Sequence, residues 1–445
     1  MLQRFFALDR NHTTPGREVQ AGITTFAAMA YILAVNPAIL ANTGMDRGAL
    51  VTVTALTAAV ATAIMAFLTN YPLVLAPGMG INAFFTYTIC IAKGVPWQQA
   101  LGMVFVNGLI FLSLSITGIR EKLIAAIPAS LKVAVTCGIG MFIAFIGLKN
   151  GGVVVSNPAT YVLAGDFTSG SVALCLAGIA FTAILVARRV RGAILLGIIT
   201  VTVVGIFIPA GGGAMVTQLP GKLFSFPHSP APVFFKLSFG FLKSPAAFVR
   251  ALPLILTLLL VDMFDNIGTL IAVTKRAGLL DAQGRLPKAG RALLADSIAT
   301  ILSALFGTST VVSYVEAAAG VEAGGRTGLT SLTTAVLMLL ALLLTPVILA
   351  VPAVATAPAL VIVGIFMMQS VVEIPMADFS VAAPAVLTIF AIPLTFSIAG
   401  GVGFGLISTA LLAIALGRPR EFSALGYVVA VVFFFDFFKL WPFHG

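Results

Sequence analysis

The sequence predicts an all-α polytopic membrane protein of about 14 transmembrane segments, arranged as 7+7 inverted repeats. Of its 445 residues, 60% are hydrophobic and 9% are charged, and the mean hydropathy of +1.11 lies far above that of soluble domains. Apolar runs of about 20 residues, the length that a spanning helix needs, recur almost from end to end. A Gly/Pro-rich loop divides these runs into two sets of seven, and glycines interrupt the third run of each set.

Residues 1–209 form the first predicted repeat. Its third span opens with the sequence APGMGINAFF, in which Pro77, Gly78 and Gly80 interrupt the apolar run. The predicted spans are 20–41, 51–69, 76–91, 98–117, 133–148, 171–187 and 192–209. The loop 210–245 that follows has too little apolar material for a core, so we interpret it as an extracytoplasmic linker.

Residues 246–420 form the second predicted repeat. The predicted spans are 251–273, 292–306, a broken segment around residue 316, 329–349, 353–369, 381–398 and 402–416. The hydrophobic segment 421–445 completes the chain. Its run 427–441 carries Asp436, Lys439 and Trp441 among many phenylalanines, which favours an interfacial helix but leaves a further span open.

The broken segment 306–328, FGTSTVVSYVEAAAGVEAGGRTG, is the most informative stretch. Its β-branched residues Thr308 to Val312 suit extended backbone, and a helix is predicted to begin near Ser313 and run through Glu316. Non-helical backbone at membrane depth persists only where it is buried in protein or lines a wet cavity. A half-helix there would direct free N–H groups at a polar ligand.

Broken helices at matching positions of inverted repeats indicate a transporter with its substrate site near the bilayer midplane. Four carboxylates are embedded in the second half, and two of them, Asp262 and Asp265, share one helix face at i, i+3. Ionisable residues inside a membrane indicate a functional site, and a like-charged neighbour would help one carboxylate to bind and release a proton. The alternatives are that Glu316 only pairs with a neighbouring helix, and that Asp265 and Asp296 only hydrogen-bond the backbone.

These side chains also suggest the ligand. Two carboxylates and the Asn82 amide, with half-helix N–H groups, suit a neutral, flat heterocycle rich in hydrogen-bonding groups. An anion would be repelled. Phe84, Phe85 and Phe264 would offer a stacking face, although phenylalanine in such a chain more often serves plain packing.

The remaining charges exclude other functions. The net charge of +10 would suggest nucleic acid in a soluble chain, but the Lys and Arg residues collect between spans, as the positive-inside rule expects. We therefore predict an inner-membrane protein with both termini in the cytoplasm. The three isolated cysteines and three loop or terminal histidines indicate no metal, no redox chemistry and no cofactor.

Four long stretches also resemble one known family, the AzgA-like guanine/hypoxanthine/adenine permeases of the nucleobase/cation symporter superfamily. They are DRNHTTPGREVQAGITTFAAMAYILAVNP (9–37), APGMGINAFFTY (76–87), VDMFDNIGTL (261–270) and GTSTVVSYVEAAAGVEAGGRTGLT (307–330). The resemblance implies the uracil-permease fold, with a core domain from spans 1–4 and 8–11 and a gate domain from spans 5–7 and 12–14. It also implies short antiparallel strands before the broken helices of spans 3 and 10, and a homodimer formed through the gate domain.

The resemblance further implies that a purine binds between the two domains and that transport is driven by protons. Asp262 and Glu316 would hold the purine with Asn82, while Asp265 and Asp296 would support the site or its proton coupling. We expect Ser309, Thr310 and Phe264 to complete the site.

Three alternatives remain at this stage. A sulfate or dicarboxylate transporter of the same fold is disfavoured by the acidic site. A magnesium-dependent membrane enzyme would need a second Asp-rich motif beside Asp262 and Asp265, and the sequence has none. A passive channel would be distinguished by uptake that does not collapse when a protonophore is added.

Overall fold

A computed structural model describes residues 2–117, 127–211, 214–279 and 286–440. Among these residues, ten helices are long and apolar enough to cross a membrane, and four further apolar helices are shorter. The chain is therefore a helical, polytopic membrane protein.

The described part of the first half contains nine α-helices. The break between α2 and α3 falls at Ala30 and Tyr31, within the first predicted span, and α5 continues as a π-helix over Phe84–Ala92. The bounds are α1 Leu2–Phe5, α2 Pro15–Met29, α3 Ile32–Leu40, α4 Arg47–Thr69, α5 Met79–Ala83, α6 Trp97–Thr117, α7 Ala129–Asn150, α8 Gly170–Ala187 and α9 Ala193–Val204.

The second half begins with the longest helix of the described chain. The bounds are α10 Pro245–Arg276, α11 Ala289–Phe306, α12 Ala317–Glu322, α13 Gly328–Leu340, α14 Thr345–Ala350, α15 Ala353–Met368, α16 Phe379–Thr395, α17 Ile398–Ala415 and α18 Ala424–Phe437. Pro253 lies inside α10, and the Thr257 hydroxyl donates to its carbonyl at 2.8 Å.

Six short strands in the described part of the chain form three antiparallel pairs. Strand β1 (Leu75–Pro77) pairs with β6 (Val311–Ser313) across the two halves of the chain. The other two pairs are local hairpins, β2 (Val154–Asn157) with β3 (Tyr161–Ala164) and β4 (Pro209–Gly211) with β5 (Ala214–Met215). The sequence had predicted loops at both hairpins.

Helix packing divides most of the molecule into two groups. Helices α2, α4, α6, α11, α12 and α13 pack on one another, whereas α7, α8, α9, α15, α16 and α17 pack on one another. Both groups contain helices from each half of the chain, so the halves are interleaved.

The linker loop packs against helix ends at one end of the bundle, which we call the linker end. The Thr52 hydroxyl at the start of α4 donates to the His228 carbonyl at 2.8 Å, and the Ser238 amide donates to the Gln98 carbonyl at 2.8 Å. The N-terminal segment lies at the other end of α4, where Asn70 Nδ2 donates to the Phe6 carbonyl at 2.8 Å.

Helix α18 packs antiparallel along α17. The Phe404 ring near the start of α17 lies 5.1 Å from the Phe437 ring at the end of α18. Lys439, just beyond α18, lines one cavity with Gln99 and Phe241, which lie at the linker end. The described chain thus ends opposite its N-terminal segment, so the prediction that both termini lie on one side does not hold for these residues. An antiparallel helix also differs from the interfacial helix that the sequence favoured.

Four of the 14 predicted spans are shorter than a full span. Three correspond to the helices Met79–Ala92, Ala193–Val204 and Phe379–Thr395, and the segment around Glu316 forms a strand and the six-residue α12. The count of fourteen therefore stays a prediction.

Candidate functional site

The candidate site is built on the strand pair β1–β6, which confirms the predicted antiparallel strands before the two broken helices. Leu75 lies opposite Ser313 and Pro77 lies opposite Val311. The Tyr314 amide extends the pairing by donating to the Val74 carbonyl at 2.9 Å. Because the chain is still paired at Tyr314, the predicted helix start near Ser313 is wrong, and α12 begins at Ala317.

Glu316 occupies the N-cap position of α12. Its side chain is half-buried, and its Oε1 atom accepts a hydrogen bond of 2.6 Å from the Tyr31 hydroxyl. Tyr31 is buried, with 2% of its surface exposed, and lies at the break between α2 and α3. The second half of the chain therefore supplies the carboxylate, and the first half supplies its donor.

The N–H groups of α12 differ from the prediction. The amides of Ala317, Ala318 and Ala319 donate to the carbonyls of Tyr314, Val315 and Glu316, at 3.2, 2.9 and 3.0 Å. These amides are satisfied within the turn, so they are not the free donors that the sequence predicted for a ligand.

Asn82, Ser309 and Thr310 come together beside the strands. Asn82 lies in α5 and is fully buried, and the Ser309 hydroxyl donates to its Oδ1 atom. The Thr310 carbonyl accepts from the Gly78 amide at 3.0 Å. Within the described part of the chain, Asn82 Nδ2 and the Thr310 hydroxyl have no hydrogen-bond partner, which makes them groups that a ligand or water would satisfy.

Asp262 lies in α10 and is fully buried. Its Oδ2 atom accepts a hydrogen bond of 3.1 Å from Asn107 Nδ2 on α6. One turn later on the same face, Asn266 Oδ1 accepts from the Ser313 amide at 3.3 Å. Helix α10 thus connects Asp262 to β6. The two carboxylates differ in exposure, because Asp262 is fully buried whereas Glu316 is half-buried.

The other predicted residues are less directly connected. Asp296 is buried in α11, next to Ser297, whose hydroxyl lies 3.1 Å from the Ser115 hydroxyl on α6. The backbone of Phe264 and Asp265 continues α10, but their side chains lie outside the described residues.

A close helix contact fixes α12 against α2. A Cβ atom added at Gly320 would lie 2.0 Å from the Thr25 hydroxyl and 2.9 Å from the Ala21 carbonyl. Glycine therefore lets the backbone that carries Glu316 approach the helix that leads to Tyr31.

A buried carboxylate holds the start of α13. Glu18 on α2 accepts hydrogen bonds from the Arg326 amide at 2.9 Å and from the hydroxyls of Thr327 and Thr330 at 2.8 and 2.6 Å. It is fully buried, and a carboxylate suits a helix N-terminus. The sequence analysis missed Glu18, Tyr31 and Asn107. A polar residue in an apolar span was the available signal for Asn107, whereas Glu18 lies before the first predicted span and carried no such signal.

The site therefore offers one half-buried carboxylate, one buried carboxylate and neutral amide and hydroxyl groups. Among the described residues, no group of three His, Cys, Asp or Glu side chains could hold a metal ion. This arrangement suits hydrogen bonding to a small polar molecule and the binding of a proton.

Comparison with known proteins decides the family. The model of a family described as "Permease family" matches residues 16–404. The chain belongs to this permease family. The permease is 41% identical to a guanine/hypoxanthine permease of Bacillus subtilis, over 99% of this chain and 100% of that one. It is 39% identical to an adenine permease of Escherichia coli, over 97% of this chain and 95% of that one.

These relatives confirm the resemblance to the guanine/hypoxanthine/adenine permeases, and they identify the permease as a transporter rather than an enzyme. The fold is shared with the transmembrane domain of a cyanobacterial bicarbonate transporter. That structure has a TM-score of 0.65 and 15% identity, covering 86% of the permease and 97% of the bicarbonate transporter domain.

Proposed function

We propose that this permease imports purine nucleobases, namely guanine, hypoxanthine or adenine, across the inner membrane by proton-coupled alternating access. The observation that carries the proposal is Glu316, a half-buried carboxylate at the junction of a strand and a short helix, bound by Tyr31. The names of the two relatives above support the substrate class.

Glu316 is the group that contacts both substrate and proton in this proposal. A half-buried carboxylate accepts hydrogen bonds from the ring N–H or exocyclic amine of a purine, and an isolated ionisable group inside a membrane marks a proton pathway. Protonation from outside favours substrate binding, and loss of the proton to the cytoplasm favours release. The driving force is the proton gradient, with no cofactor.

Asn82, Ser309, Thr310 and Asp262 complete the binding site. The free Asn82 Nδ2 donor and Thr310 hydroxyl suit the ring nitrogens and O6 of a purine. Asp262, held by Asn107, becomes available to the purine when the helices separate. Asp296 and Asp265 support the site or its proton coupling.

Alternating access requires two domains that move relative to each other. We assign α2–α6 and α10–α14 to a core domain and α7–α9 and α15–α17 to a gate domain, in 14 segments related as 7+7 inverted repeats. The preference of each helix group for packing within itself supports this division. The N-terminus lies in the cytoplasm, the linker loop lies outside, and two copies associate through the gate domain.

The test is uptake of labelled hypoxanthine in cells that lack their own purine permeases. Excess adenine, guanine, xanthine, uracil or sulfate is added as competitor, with and without a protonophore. The proposal expects competition by purines alone and loss of accumulation with the protonophore.

Two results would overturn this proposal. Competition by sulfate but not by purines would establish an anion transporter, the alternative that the bicarbonate transporter fold favours. Purine uptake that ignores the protonophore would establish a passive channel or a different coupling ion.

A further inference from the structure

A cavity of about 710 Å³ opens near the linker end of the bundle. Its walls come from α6 and α10 on one side and from α17 and α18 on the other. Among the described residues, none of the candidate-site residues Glu316, Asp262 and Asn82 lines it. The cavity is therefore separate from the proposed purine site.

The cavity is polar at its rim and apolar inside. Lys93, Arg250 and Lys439 lie at the rim, and all three side chains are exposed. Asp436 is the one carboxylate among the lining residues. The charge of the lining is thus three cations against one anion, which attracts an anionic group.

Two of these cations lack internal partners. In the described part of the chain, the side chains of Lys93 and Arg250 make no hydrogen bond or ion pair. A guanidinium and an ammonium that line one cavity suit the binding of phosphate, since the guanidinium donates two parallel hydrogen bonds and the ammonium adds charge.

The interior of the cavity is lined by apolar side chains. Phe241, Phe404, Phe437 and Leu254 contribute to its walls. The lining residues of α10 run from Ala247 to Leu254, which is about 10 Å along a helix. The cavity therefore extends from exposed basic side chains at its rim to an apolar interior.

We propose that this cavity binds one anionic phospholipid, with its phosphate at Lys93, Arg250 and Lys439 and an acyl chain along Phe404 and Phe437. Charge complementarity favours an anionic head group, and the apolar depth favours an acyl chain over a soluble anion. The lipid fills the space between α10 and the α17–α18 pair, so it contacts both walls of the cavity.

The experiment measures lipid retained by the purified full-length protein. The protein is mixed with equal amounts of phosphatidylglycerol and phosphatidylcholine that carry the same acyl chains, and native mass spectrometry counts the lipids bound. We expect one phosphatidylglycerol per chain in preference to phosphatidylcholine. Each basic group near a membrane surface strengthens anionic lipid binding, so the triple variant K93Q/R250Q/K439Q should lower retention at least about tenfold.

A matched control removes the same charge from the same end of the molecule. Lys222, Lys236 and Lys243 are exposed linker-loop residues outside the cavity lining, and K222Q/K236Q/K243Q should retain the lipid. Asp436→Asn should increase retention. Excess inorganic phosphate should not displace the lipid.

A second measurement keeps the proposal testable if the triple variant fails to fold. The single variant F404W places a fluorophore in the cavity wall, and phosphatidylglycerol with brominated acyl chains should quench it more than brominated phosphatidylcholine does. Equal quenching by the two lipids, equal retention of them, loss of lipid in the linker-loop control, or displacement by phosphate would each overturn the proposal.

Discussion

The two halves of this permease build the same backbone feature, a short strand leading to a helix, and place different chemistry on it. After β1, the side chain is Asn82, a neutral amide that is fully buried and bonded to Ser309. After β6, it is Glu316, an ionisable carboxylate that is half-buried and bonded to Tyr31.

This difference in burial and charge gives Asn82 and Glu316 different roles. A buried amide bonded across the strands fixes the geometry of the two broken helices, because leaving its partner unsatisfied costs free energy. A half-buried carboxylate stays accessible to a ligand or a proton. We therefore assign proton chemistry to the second half, and geometric support together with the Asn82 Nδ2 donor for the purine to the first.

The largest expected effect compares Glu316→Gln with Asn82→Ala. Glutamine keeps the size of the side chain and removes its charge, so uphill accumulation of purine should be abolished. Asn82→Ala leaves the Ser309 hydroxyl without its acceptor, at a cost of about 1–3 kcal/mol, and should lower uptake about 5–150-fold. Initial uptake rates, normalised to protein in the membrane, measure both.

The matched control for that comparison is Glu322→Gln, an exposed carboxylate on the same short helix. It should leave accumulation intact. If Asn82→Ala abolished accumulation while Glu316→Gln retained it, the assignment of the two halves would be reversed.

The second effect tests the contact that carries Glu316. Gly320→Ala places a methyl group 2.0 Å from the Thr25 hydroxyl, so α12 must move away from α2 and transport should fall about 5–150-fold, because overpacking costs roughly 1–3 kcal/mol. Adding Thr25→Ala removes that hydroxyl and should restore part of the activity.

Gly16→Ala serves as its control, since no atom lies within 4 Å of an added Cβ there. Full activity of Gly320→Ala alone would show that the α2–α12 contact does not position Glu316.

The third effect concerns the buried carboxylate. Asn107→Leu removes the donor to Asp262 Oδ2, and a buried charged group that loses a hydrogen bond costs about 1.5–3 kcal/mol. Thermal stability of the purified protein and purine affinity should both fall. In the Asp262→Asn background the same substitution should cost less, and an equal cost in both backgrounds would mean that Asn107 acts independently of Asp262.

The smallest effect comes from Tyr31→Phe. The ring and its packing remain, but Glu316 loses the hydroxyl donor 2.6 Å from Oε1, so uptake should fall only about 2–10-fold, as expected for the loss of one hydrogen bond. Accumulation should persist. In the Glu316→Gln background the additional loss should be smaller, and a full additional loss there would show that Tyr31 does not act through Glu316.

Much of this architecture could be predicted from local sequence properties. Apolar length predicts the membrane helices, and β-branched residues after Gly307 predict the extended segment that pairs as β6. Glu316 and Asn82 could be predicted as site residues because each lies at a break in an apolar run.

The rest depends on contacts between distant parts of the chain. Tyr31 looks like a packing residue in an apolar run, and only the approach of α12 to α2 gives its hydroxyl a role. The helix predicted to start near Ser313 begins at Ala317 in the structure, because strand pairing with β1 keeps the backbone extended as far as Tyr314. The antiparallel packing of α18 on α17 depends on side chains such as Phe404 and Phe437, which composition alone cannot distinguish from those of an interfacial helix.

The central claim is that Glu316 couples purine movement to the proton gradient. The most direct measurement uses purified Glu316→Gln protein in liposomes, with labelled hypoxanthine exchanged against internal hypoxanthine in one experiment and accumulated under an imposed pH gradient in another. We predict that exchange is retained and that gradient-driven accumulation is lost. Accumulation at the wild-type level under the pH gradient would contradict the claim.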